Sequence, residues 1–316
     1  MKKIVVIGGG TGTAAVLRGL KEYPVDCCAI LTTADDGGSS GILRVEYNMI
    51  PPGDARQCLV ALADSSNVLA SYMHERFHDG SFAGHPIGNL LIASVFQRTH
   101  DFVQSLSIVG TMLSVRGRVL PVTLQPTMLH AYLKDGRVLS GEEHITTSKE
   151  IVTSLQQLRL TPASSLLPEA RVAIMEADMI IIGSGNFFSS IMPSLLVSDM
   201  PETLRASKAK KVYIANCMTQ NGHTDHFTLD DFLQRLSMVL GKDIFDHIIY
   251  NTSPLPSTMK NIGDPIHPTA SLVKDSRIIG MPLLDPTPVA QHAADRITRS
   301  IFRHDSKKIA EVIMGL

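Results

Sequence analysis

The 316-residue sequence contains no tryptophan, few aromatic residues (5%) and only four cysteines. The cysteines, at positions 27, 28, 58 and 217, lack the C-x-x-C spacing of a zinc ribbon. We therefore expect them to be reduced and at least partly buried, in a cytoplasmic protein. No apolar run approaches the ~20 residues that a membrane span requires. The formal net charge of −1 provides no bulk attraction to nucleic acid or to an anionic membrane surface.

The sequence also shows no internal repeat and no low-complexity segment. The apolar stretch after the first two lysines is too short for a signal peptide and runs straight into glycines, so no signal peptide is expected. Hydrophobic residues make up 44% of the chain and charged residues 19%, as in an ordinary globular protein with a sizeable core. The length suits one large domain or two ordinary ones.

The first forty-odd residues predict a strand, a glycine loop, a helix and a second strand. Residues 4–7 are continuously apolar, as in a buried parallel strand. The glycine loop leaves backbone N–H groups bare, and the N-terminus of the next helix adds partial positive charge, so the loop suits a phosphate group. Glycines that only make tight turns are the alternative. The candidate ligand-binding residues here are Gly8, Gly9, Gly10, Thr11, Gly12 and Thr13.

An acidic loop follows the second predicted strand, at the sheet edge where ligands of open α/β folds bind. The dinucleotide-binding fingerprint is matched only in part, because Thr13 takes the place of its third glycine. Glycines and serines follow the two aspartates, which favours an anion- or metal-binding loop over a strand end that holds one ribose. Asp35 or Asp36 is a candidate metal ligand. The candidate ligand contacts are Asp36, Gly37, Gly38, Ser39, Ser40 and Arg44.

Two further loops combine glycine with polar side chains just before an apolar helix. The first carries Asp54 and Arg56; Asp54 caps the helix, faces the same pocket as the acidic loop, or does both. The second carries His85 and Asn89, and a structural hydrogen bond and a ligand contact are equal alternatives for His85. Three such junctions within ninety residues predict loops that converge on one crevice.

A second pair of strand and glycine loop is predicted at residues 177–186, before a helix that Pro193 kinks or begins. Its candidate ligand contacts, with a plain tight connection as the alternative, are Gly183, Ser184, Gly185 and Asn186. A later strand at residues 210–216 leads into a polar loop, where the candidates are Asn216, Thr219 and Gln220. Arg303 is either a phosphate clamp that reaches back to the crevice or a surface arginine.

Residues 74–78 read H-E-x-x-H, which is the signature of zinc proteases. We discount a zinc site because Asp79 and Gly80 end the helix immediately and the extended form of the motif is absent. Surface histidines on an amphipathic helix are the better interpretation.

Residues 117–124 and 129–133 alternate between apolar and polar positions and lead to an Asp135-Gly136 turn. This pattern predicts a small antiparallel excursion. Residues 142–144, beyond the turn, are expected to be solvated.

Together these elements predict an α/β fold with a mostly parallel sheet and the antiparallel excursion near residues 117–140. We expect a single domain over residues 1–316. It contains an inserted hairpin region at about 115–150 and an irregular C-terminal segment at about 252–316, in which residues 291–300 have helical spacing.

The motifs occur in a combination that resembles the bacterial gluconeogenesis factor family, which is similar to the 2-phospho-L-lactate transferases of the CofD-like superfamily. They include Gly-Gly-Gly-Thr-Gly, Ala-Asp-Asp-Gly-Gly-Ser-Ser-Gly, Pro-Pro-Gly-Asp-x-Arg, Gly-His-x-x-Gly-Asn-Leu-Leu and Arg-His-Asp. The resemblance implies a Rossmann-like α/β fold, with a mostly parallel sheet and helices on both faces. It further implies a cytoplasmic protein with a crevice for a nucleoside diphosphate compound, of the UDP-sugar type. It also implies a role in cell shape during growth on gluconeogenic carbon sources.

The leading hypothesis is a regulatory protein that binds a nucleotide sugar. The two glycine loops would hold the diphosphate, and Asp35 or Asp36 would contact ribose, sugar or a divalent ion such as Mg²⁺. Asn216, Thr219 and Gln220 would bind the remaining polar edge of the nucleotide sugar. A protein of this kind needs no catalytic base, and a homo-oligomer and a protein partner are both compatible with it.

The alternative hypothesis is a phosphotransferase that uses a nucleoside diphosphate donor. Asp35, Asp36 or Asp54 would then bind Mg²⁺ or activate the acceptor hydroxyl. Arg56 and Arg303 would stabilise the developing phosphate charge. An oxidoreductase with a dinucleotide is disfavoured, because the fingerprint is incomplete and the sequence shows no constellation for hydride transfer.

Overall fold

The computed structural model describes residues 1–256, 263–287 and 303–316. Its main sheet has seven strands, all parallel, in the order β10-β9-β8-β7-β1-β2-β3. These strands are β1 (Lys2–Gly8), β2 (Val25–Leu31), β3 (Arg118–Pro121), β7 (Met179–Gly183), β8 (Lys210–Ile214), β9 (His247–Asn251) and β10 (Ile278–Met281). The predicted α/β fold with a mostly parallel sheet is confirmed.

Alternate residues of the central strands belong to two separate cores, one on each face of the sheet. Ile4 and Val6 of β1 pack into one core, whereas Val5 and Ile7 pack into the other. This alternation follows from the two-residue period of a strand, and it requires that both faces be covered. The helices meet this requirement, because they lie on both faces.

Among the described residues, the core that contains Ile4 includes buried side chains of α1 (Gly10–Leu20), α2 (Gly38–Tyr47), α3 (Gly53–Leu62), α5 (Ile87–Thr99), α6 (Phe102–Met112) and α13 (Ser306–Met314). The opposite core receives α7 (Glu142–Thr147), α8 (Ile151–Ser154), α9 (Pro168–Met175), α10 (Met192–Leu195), α11 (Met200–Ala206) and α12 (Leu229–Leu240). A short helix, α4 (Val68–Tyr72), precedes α5, and a π-helical turn (Phe187–Ile191) precedes α10. Pro193 stands in the first turn of α10, one of the two positions predicted for it.

The strand order reverses between β1 and β7. From β1 the chain builds outward through β2 to β3, and it later returns to the other side of β1 to build β7, β8, β9 and β10. Ligands of doubly wound sheets bind at the carboxyl ends of the strands at such a reversal. Both strands at this point are followed by the glycine loops found in the sequence.

The predicted small antiparallel excursion is confirmed, but its strands differ from the prediction. β3 pairs parallel with β2 in the main sheet, because Val119 and Leu120 are buried beside that strand. The small sheet is instead formed by β4 (Met128–Leu133), β5 (Val138–Ser140) and β6 (Leu155–Thr161), in the order β5-β4-β6. We call residues 128–161 the antiparallel unit. The predicted turn after β4 is confirmed, whereas β6 was not predicted.

Two helix predictions are corrected. α3 begins at Gly53 with Pro52 at its N-cap, so Asp54 lies inside the first turn and does not cap the helix. The H-E-x-x-H residues are not on a helix, because the backbone around Phe77 pairs with the segment around His85 through Phe77 N to His85 O and Gly84 N to Phe77 O.

Side-chain caps begin two of the helices. Thr228 caps α12 through a capping box with Asp231, and Asp305 accepts hydrogen bonds from two backbone N–H groups at the start of α13. The segment predicted to be irregular contains the short strand β10. The helix expected at residues 291–300 lies outside the described residues. Within the described part of the chain, no helix combines the length and the apolar character needed to cross a bilayer.

Candidate functional site

The two glycine loops touch each other at the reversal of strand order. A Cβ atom added to Gly12 would overlap the carbonyl oxygen of Ser184, and it would lie 2.5 Å from the Ser184 carbonyl carbon. A Cβ atom on Gly185 would lie 3.1 Å from the carbonyl oxygen of Gly9. The close approach of the two backbones therefore requires glycine at Gly12, and the loops form one continuous surface.

Both loops lead into helical turns that point at this surface. α1 starts at Gly10, whose φ of +66° is a conformation that favours glycine. The Thr13 hydroxyl donates to the carbonyl oxygen of Gly9, which fixes the entry of the helix. The N–H groups of a helix's first turn have no partner within the helix, so this end of α1 attracts an anion.

A cavity lies between the loops and across the ends of β2, β1, β7 and β8. Twelve of the residues that the sequence predicted for the site line it: Gly9, Gly10, Thr11, Gly12, Asp35, Asp54, Ser184, Gly185, Asn186, Asn216, Gln220 and Arg303. The remaining lining residues are Glu142, Ser189, Ser190, Cys217 and His304. Loops far apart in the sequence thus converge on one crevice. Of the three junctions predicted to converge, the first glycine loop and the loop that carries Asp54 line the cavity, whereas the loop that carries His85 and Asn89 does not.

Asp54 lies in the first turn of α3, and Asp35, in the loop after β2, packs against the start of the same helix. Asp54 packs against the first glycine loop, since a Cβ atom on Gly9 would lie 3.3 Å from Asp54 Cγ. A Cβ atom on Gly53 would lie 3.0 Å from Asp35 Oδ2, and Asp35 Oδ1 accepts a hydrogen bond from the Gly37 N–H. Partial positive charge at the N-terminus of α3 favours two carboxylates there. The structure thus places Asp54 and Asp35 in the same cavity, whereas Arg56 and Asp36 do not line it.

Asp36 does not line the cavity. Its two carboxylate oxygens accept hydrogen bonds from the Glu142 and Glu143 N–H groups, at 3.1 and 2.9 Å, at the start of α7. The expectation of a ligand contact at Asp36 is therefore not met by the geometry, because its carboxylate is used to cap a helix of the antiparallel unit.

Glu142 is a cavity residue that the sequence analysis missed. It was expected to be solvated, yet it is only 7% exposed and lines the cavity with Asp35 and Asp54. Burial raises the pKa of Glu142 well above its usual range, and the nearby carboxylates of Asp35 and Asp54 raise it further. Ser189 opposes this shift, because its hydroxyl lies close enough to favour the charged form.

The opposite wall of the cavity is a network of amides around the second glycine loop. Asn186 donates to Gln220 Oε1 at 2.7 Å and also caps the π-helical turn through Ser189 N. Asn216 donates to the carbonyl oxygen of Gly185 at 2.9 Å. These bonds hold the loop in place and leave it lined by neutral polar groups.

His304 and Cys217 are further cavity residues. His304 belongs to the Arg-His-Asp motif, although no role was predicted for it, and Cys217 had no sequence signal. His304 Nδ1 is 3.2 Å from the hydroxyl of Ser184, and burial lowers the pKa of His304 to about 4. Burial also raises the pKa of Cys217 to about 12, so its thiol is not a ready nucleophile. All four cysteines are free and buried, as expected from the sequence.

Comparison with known proteins identifies the family. The sequence model of the family described as "2-phospho-L-lactate transferase CofD" matches residues 4–269. The chain belongs to the CofD family. It is 38% identical to the "Gluconeogenesis factor" of Bacillus subtilis, over 99% of this chain and 98% of that protein. It is also 42% identical to the "Gluconeogenesis factor" of Halalkalibacterium halodurans, over 82% of this chain and 80% of that protein.

The fold of this CofD-family chain is also seen in a solved structure. A crystal structure of a UPF0052 family protein from Bacillus halodurans has a TM-score of 0.88 and 36% identity to it. The similarity covers 99% of this chain and 100% of the other. The identity is high enough for the likeness to extend beyond fold to family.

Some predicted residues of this CofD-family chain lie together, but outside the residues that line the cavity. The Ser39 hydroxyl is 2.9 Å from His85 Nδ1 and accepts a hydrogen bond from Asn89 Nδ2 at 3.1 Å. This geometry matches the structural alternative for His85. Arg44 donates to the carbonyl oxygens of Thr127 and Asp35.

The other predicted residues outside the cavity lining have local contacts. Arg56 Nη1 is 2.8 Å from His74 Nδ1 and donates to the carbonyl oxygen of Met73. The Thr219 hydroxyl accepts a hydrogen bond from Asp264 N. The rest flank the site as strand ends or helix starts: Gly8, Thr13, Gly37, Gly38, Ser40 and Gly183.

In the described ranges, no three His, Cys, Asp or Glu side chains are arranged to hold a metal ion among themselves. Asp35 and Asp54 nevertheless fit a Mg²⁺ ion, which is bound in many proteins by one or two carboxylates together with phosphate oxygens and water. The fit has an electrostatic basis, because Asp54 is packed against the loop whose N–H groups would attract a phosphate.

Proposed function

We propose that this protein is a gluconeogenesis factor that binds a nucleoside diphosphate sugar, of the UDP-sugar type, and acts as a regulatory protein in the cytoplasm. The diphosphate lies across the two glycine loops. The sugar and nucleoside occupy the remainder of the cavity. The relatives named gluconeogenesis factor support the family role, and a function in cell shape during growth on gluconeogenic carbon is part of the same proposal.

The contact between the two glycine loops is the observation that carries this proposal. A single glycine loop is common in unrelated proteins, but here two of them meet at the point where strand order reverses. Each loop contributes backbone N–H groups and the start of a helical turn. Two adjacent anion sites suit the two phosphate groups of a diphosphate.

A divalent cation would offset the repulsion between the diphosphate and the nearby carboxylates. Asp35 and Asp54 would hold Mg²⁺, which would neutralise phosphate charge next to the first glycine loop. The chain's own residues supply the rest of the binding: the glycine loops hold the phosphates, and the amides of Asn186 and Asn216 line the second loop. Mg²⁺ should therefore strengthen binding through the two aspartates.

A phosphotransferase is the second candidate function. It is favoured by the name of the family model and by the buried carboxylate of Glu142, which lies in the same cavity as two further acids. Asp35 or Asp54 would then bind Mg²⁺ or accept a proton from an acceptor hydroxyl. The regulatory proposal requires binding without turnover, so product analysis by ³¹P NMR separates the two functions.

A thermal-shift titration tests the binding proposal directly. The purified protein is heated with UDP-N-acetylglucosamine, UDP-glucose, GDP or NAD, each with and without Mg²⁺. A ligand that binds only the folded state stabilises it by about 2.7 kcal/mol at a concentration of 100 Kd. We expect UDP-sugars to raise the unfolding midpoint, and we expect Mg²⁺ to increase that shift.

The variant Asp54→Asn should keep the fold and lose most of the Mg²⁺ effect. Asp79→Asn is the matched control, because Asp79 is exposed and its side chain caps no helix. A response to NAD alone would refute the proposal. A GDP response that requires Mg²⁺, accompanied by turnover, would favour the phosphotransferase instead.

A further inference from the structure

Glu142 has an unusual origin among the cavity residues. It is the single contribution of the antiparallel unit to the described lining, whereas the other lining residues follow strands of the main sheet, begin α3 or precede α13. Its side chain is buried, and it comes from a segment more than a hundred residues away from the acidic loop. A carboxyl group brought into a binding cavity by a separate unit needs an explanation beyond packing.

Asp36 holds Glu142 in that position. The Asp36 carboxylate accepts the N–H groups of both Glu142 and Glu143, which are the first two residues of α7. Gly141 precedes them with a φ of +93°, and a Cβ atom there would lie 3.3 Å from Asp36 Cγ. The approach of the two segments therefore depends on glycine at 141, and the start of α7 is fixed against the acidic loop.

The surroundings of Glu142 define the ligand group that it can bind. Asp35 and Asp54 line the same cavity, so a phosphate group placed at Glu142 would face three carboxyl groups. The adjacent Ser189 is 1% exposed, and its hydroxyl has no hydrogen-bond partner of normal geometry in the described part of the chain. A neutral group with several hydroxyls suits this end of the cavity, because carboxyl oxygens and a serine hydroxyl can both exchange hydrogen bonds with it.

We propose that Glu142, positioned by Asp36 and assisted by Ser189, determines specificity by binding the hydroxyl groups of the ligand's sugar. This inference rests on the proposed function, since it assigns one part of the nucleoside diphosphate sugar to one part of the cavity. The phosphates lie at the glycine loops, and the sugar lies toward α7. Asp36 is then a positioning residue that acts through Glu142.

The test compares the affinity for UDP with the affinity for UDP-glucose and UDP-N-acetylglucosamine, by isothermal titration calorimetry in the presence of Mg²⁺. Glu142→Met fills a similar volume without a hydrogen-bonding oxygen. We expect it to weaken UDP-sugar binding by about 10-fold or more, because hydrogen bonds to a carboxyl group are lost. UDP binding should change by less than about 3-fold, since UDP lacks the group that Glu142 contacts.

Further variants separate the role of Glu142 from a structural effect. Glu142→Gln retains an acceptor oxygen, so it should keep most of the preference for UDP-sugars over UDP that Glu142→Met loses. Ser189→Ala should reduce this preference partly. Asp36→Ala should also lower the ratio of UDP-sugar affinity to UDP affinity toward that of Glu142→Met, although all three cavity carboxyls remain. Glu143→Met is the matched control in the same helical turn and should leave both affinities unchanged, because Glu143 does not line the cavity.

The outcomes distinguish this inference from the proposed function. If the wild-type protein binds UDP and UDP-sugars but Glu142→Met, with an unchanged unfolding midpoint, weakens both equally or neither, the role of Glu142 is refuted and the proposed function stands. If the wild-type protein binds neither compound, the proposed function is refuted and this inference falls with it. A selective loss for UDP-sugars in Glu142→Met and Asp36→Ala supports both.

Discussion

Replacement of Gly12 by alanine tests whether the two glycine loops form one site. Gly12 lies in the first turn of α1, and an added Cβ atom would lie 2.5 Å from the Ser184 carbonyl carbon. Ordinary contact begins at 3.4 Å, so the loops would have to separate by at least about 0.9 Å, and by more to clear the Ser184 carbonyl oxygen, which lies nearer still. The obstructing atoms belong to the backbone at the end of a buried strand, and no change of rotamer can relieve the overlap.

The magnitude follows from two opposing terms. Alanine favours a helix over glycine by about 0.5–1 kcal/mol. Overpacking of a close contact costs about 1–3 kcal/mol, so we expect a net loss of about 0–2.5 kcal/mol in the free energy of unfolding. Binding should suffer more, because a displacement of this size takes N–H groups out of hydrogen-bond range. Loss of one charge-assisted hydrogen bond weakens affinity by about 10-fold or more.

Gly110→Ala provides the matched control. Gly110 is also within a helix, α6, but a Cβ atom there would make only ordinary contacts, at 3.6 Å from Leu59 Cδ2 and 3.8 Å from Val115 Cβ. We expect this variant to be as stable as the wild type or slightly more stable. Denaturant unfolding and UDP-sugar titration would be measured for both variants. If Gly12→Ala unfolds and binds like Gly110→Ala, the inferred contact between the loops is wrong.

Two further predictions concern the walls of the site. Asp36→Ala should lower the free energy of unfolding by about 1 kcal/mol, because two N–H groups at the start of α7 lose their acceptor. The control Asp79→Ala should leave this free energy unchanged, because the Asp79 side chain makes no capping bond. Equal effects of the two variants in thermal unfolding would contradict the capping role of Asp36. His304 has its pKa lowered to about 4 by burial, so between pH 6.5 and 4 the unfolded chain binds a proton there that the folded chain does not, and stability falls with falling pH. The wild type should therefore lose on the order of 3 kcal/mol more than His304→Gln between pH 7 and pH 4. A constant difference in denaturant titrations across this range would show that His304 is not buried in its neutral form.

The parts of the site that the sequence predicted are those encoded by local patterns. Buried parallel strands are continuously apolar, glycine loops follow them at once, and the carboxyl ends of such strands share one edge of a sheet. These regularities predicted both glycine loops, Asp35, and the cavity position of Asp54 as one of two alternatives. The loops were predicted separately, and only the strand order placed them side by side.

The errors have a common physical origin in contacts between distant segments. β3 has the alternating pattern of a hairpin strand, but it pairs in parallel with β2 of the main sheet, where it is buried. The H-E-x-x-H segment has helical spacing, but its backbone pairs with the segment around His85. Glu142 follows a turn and a second glutamate follows it, which is the usual composition of a solvated segment. Its burial depends on contact with the acidic loop, and no local pattern around Glu142 indicates that contact.

The adjacent residues Asp35 and Asp36 show why a local pattern cannot assign such roles. Both are acidic, both precede the same glycines, and the segment that carries them is not helical. Consecutive side chains of an extended segment leave it on opposite sides, so one aspartate can line the cavity while the other binds the antiparallel unit. Which one does which is decided by α7, whose first N–H groups bond to Asp36 across 106 and 107 residues of sequence. The acidic loop therefore connects two functions: it supplies a carboxylate to the cavity, and it fixes the unit that supplies another.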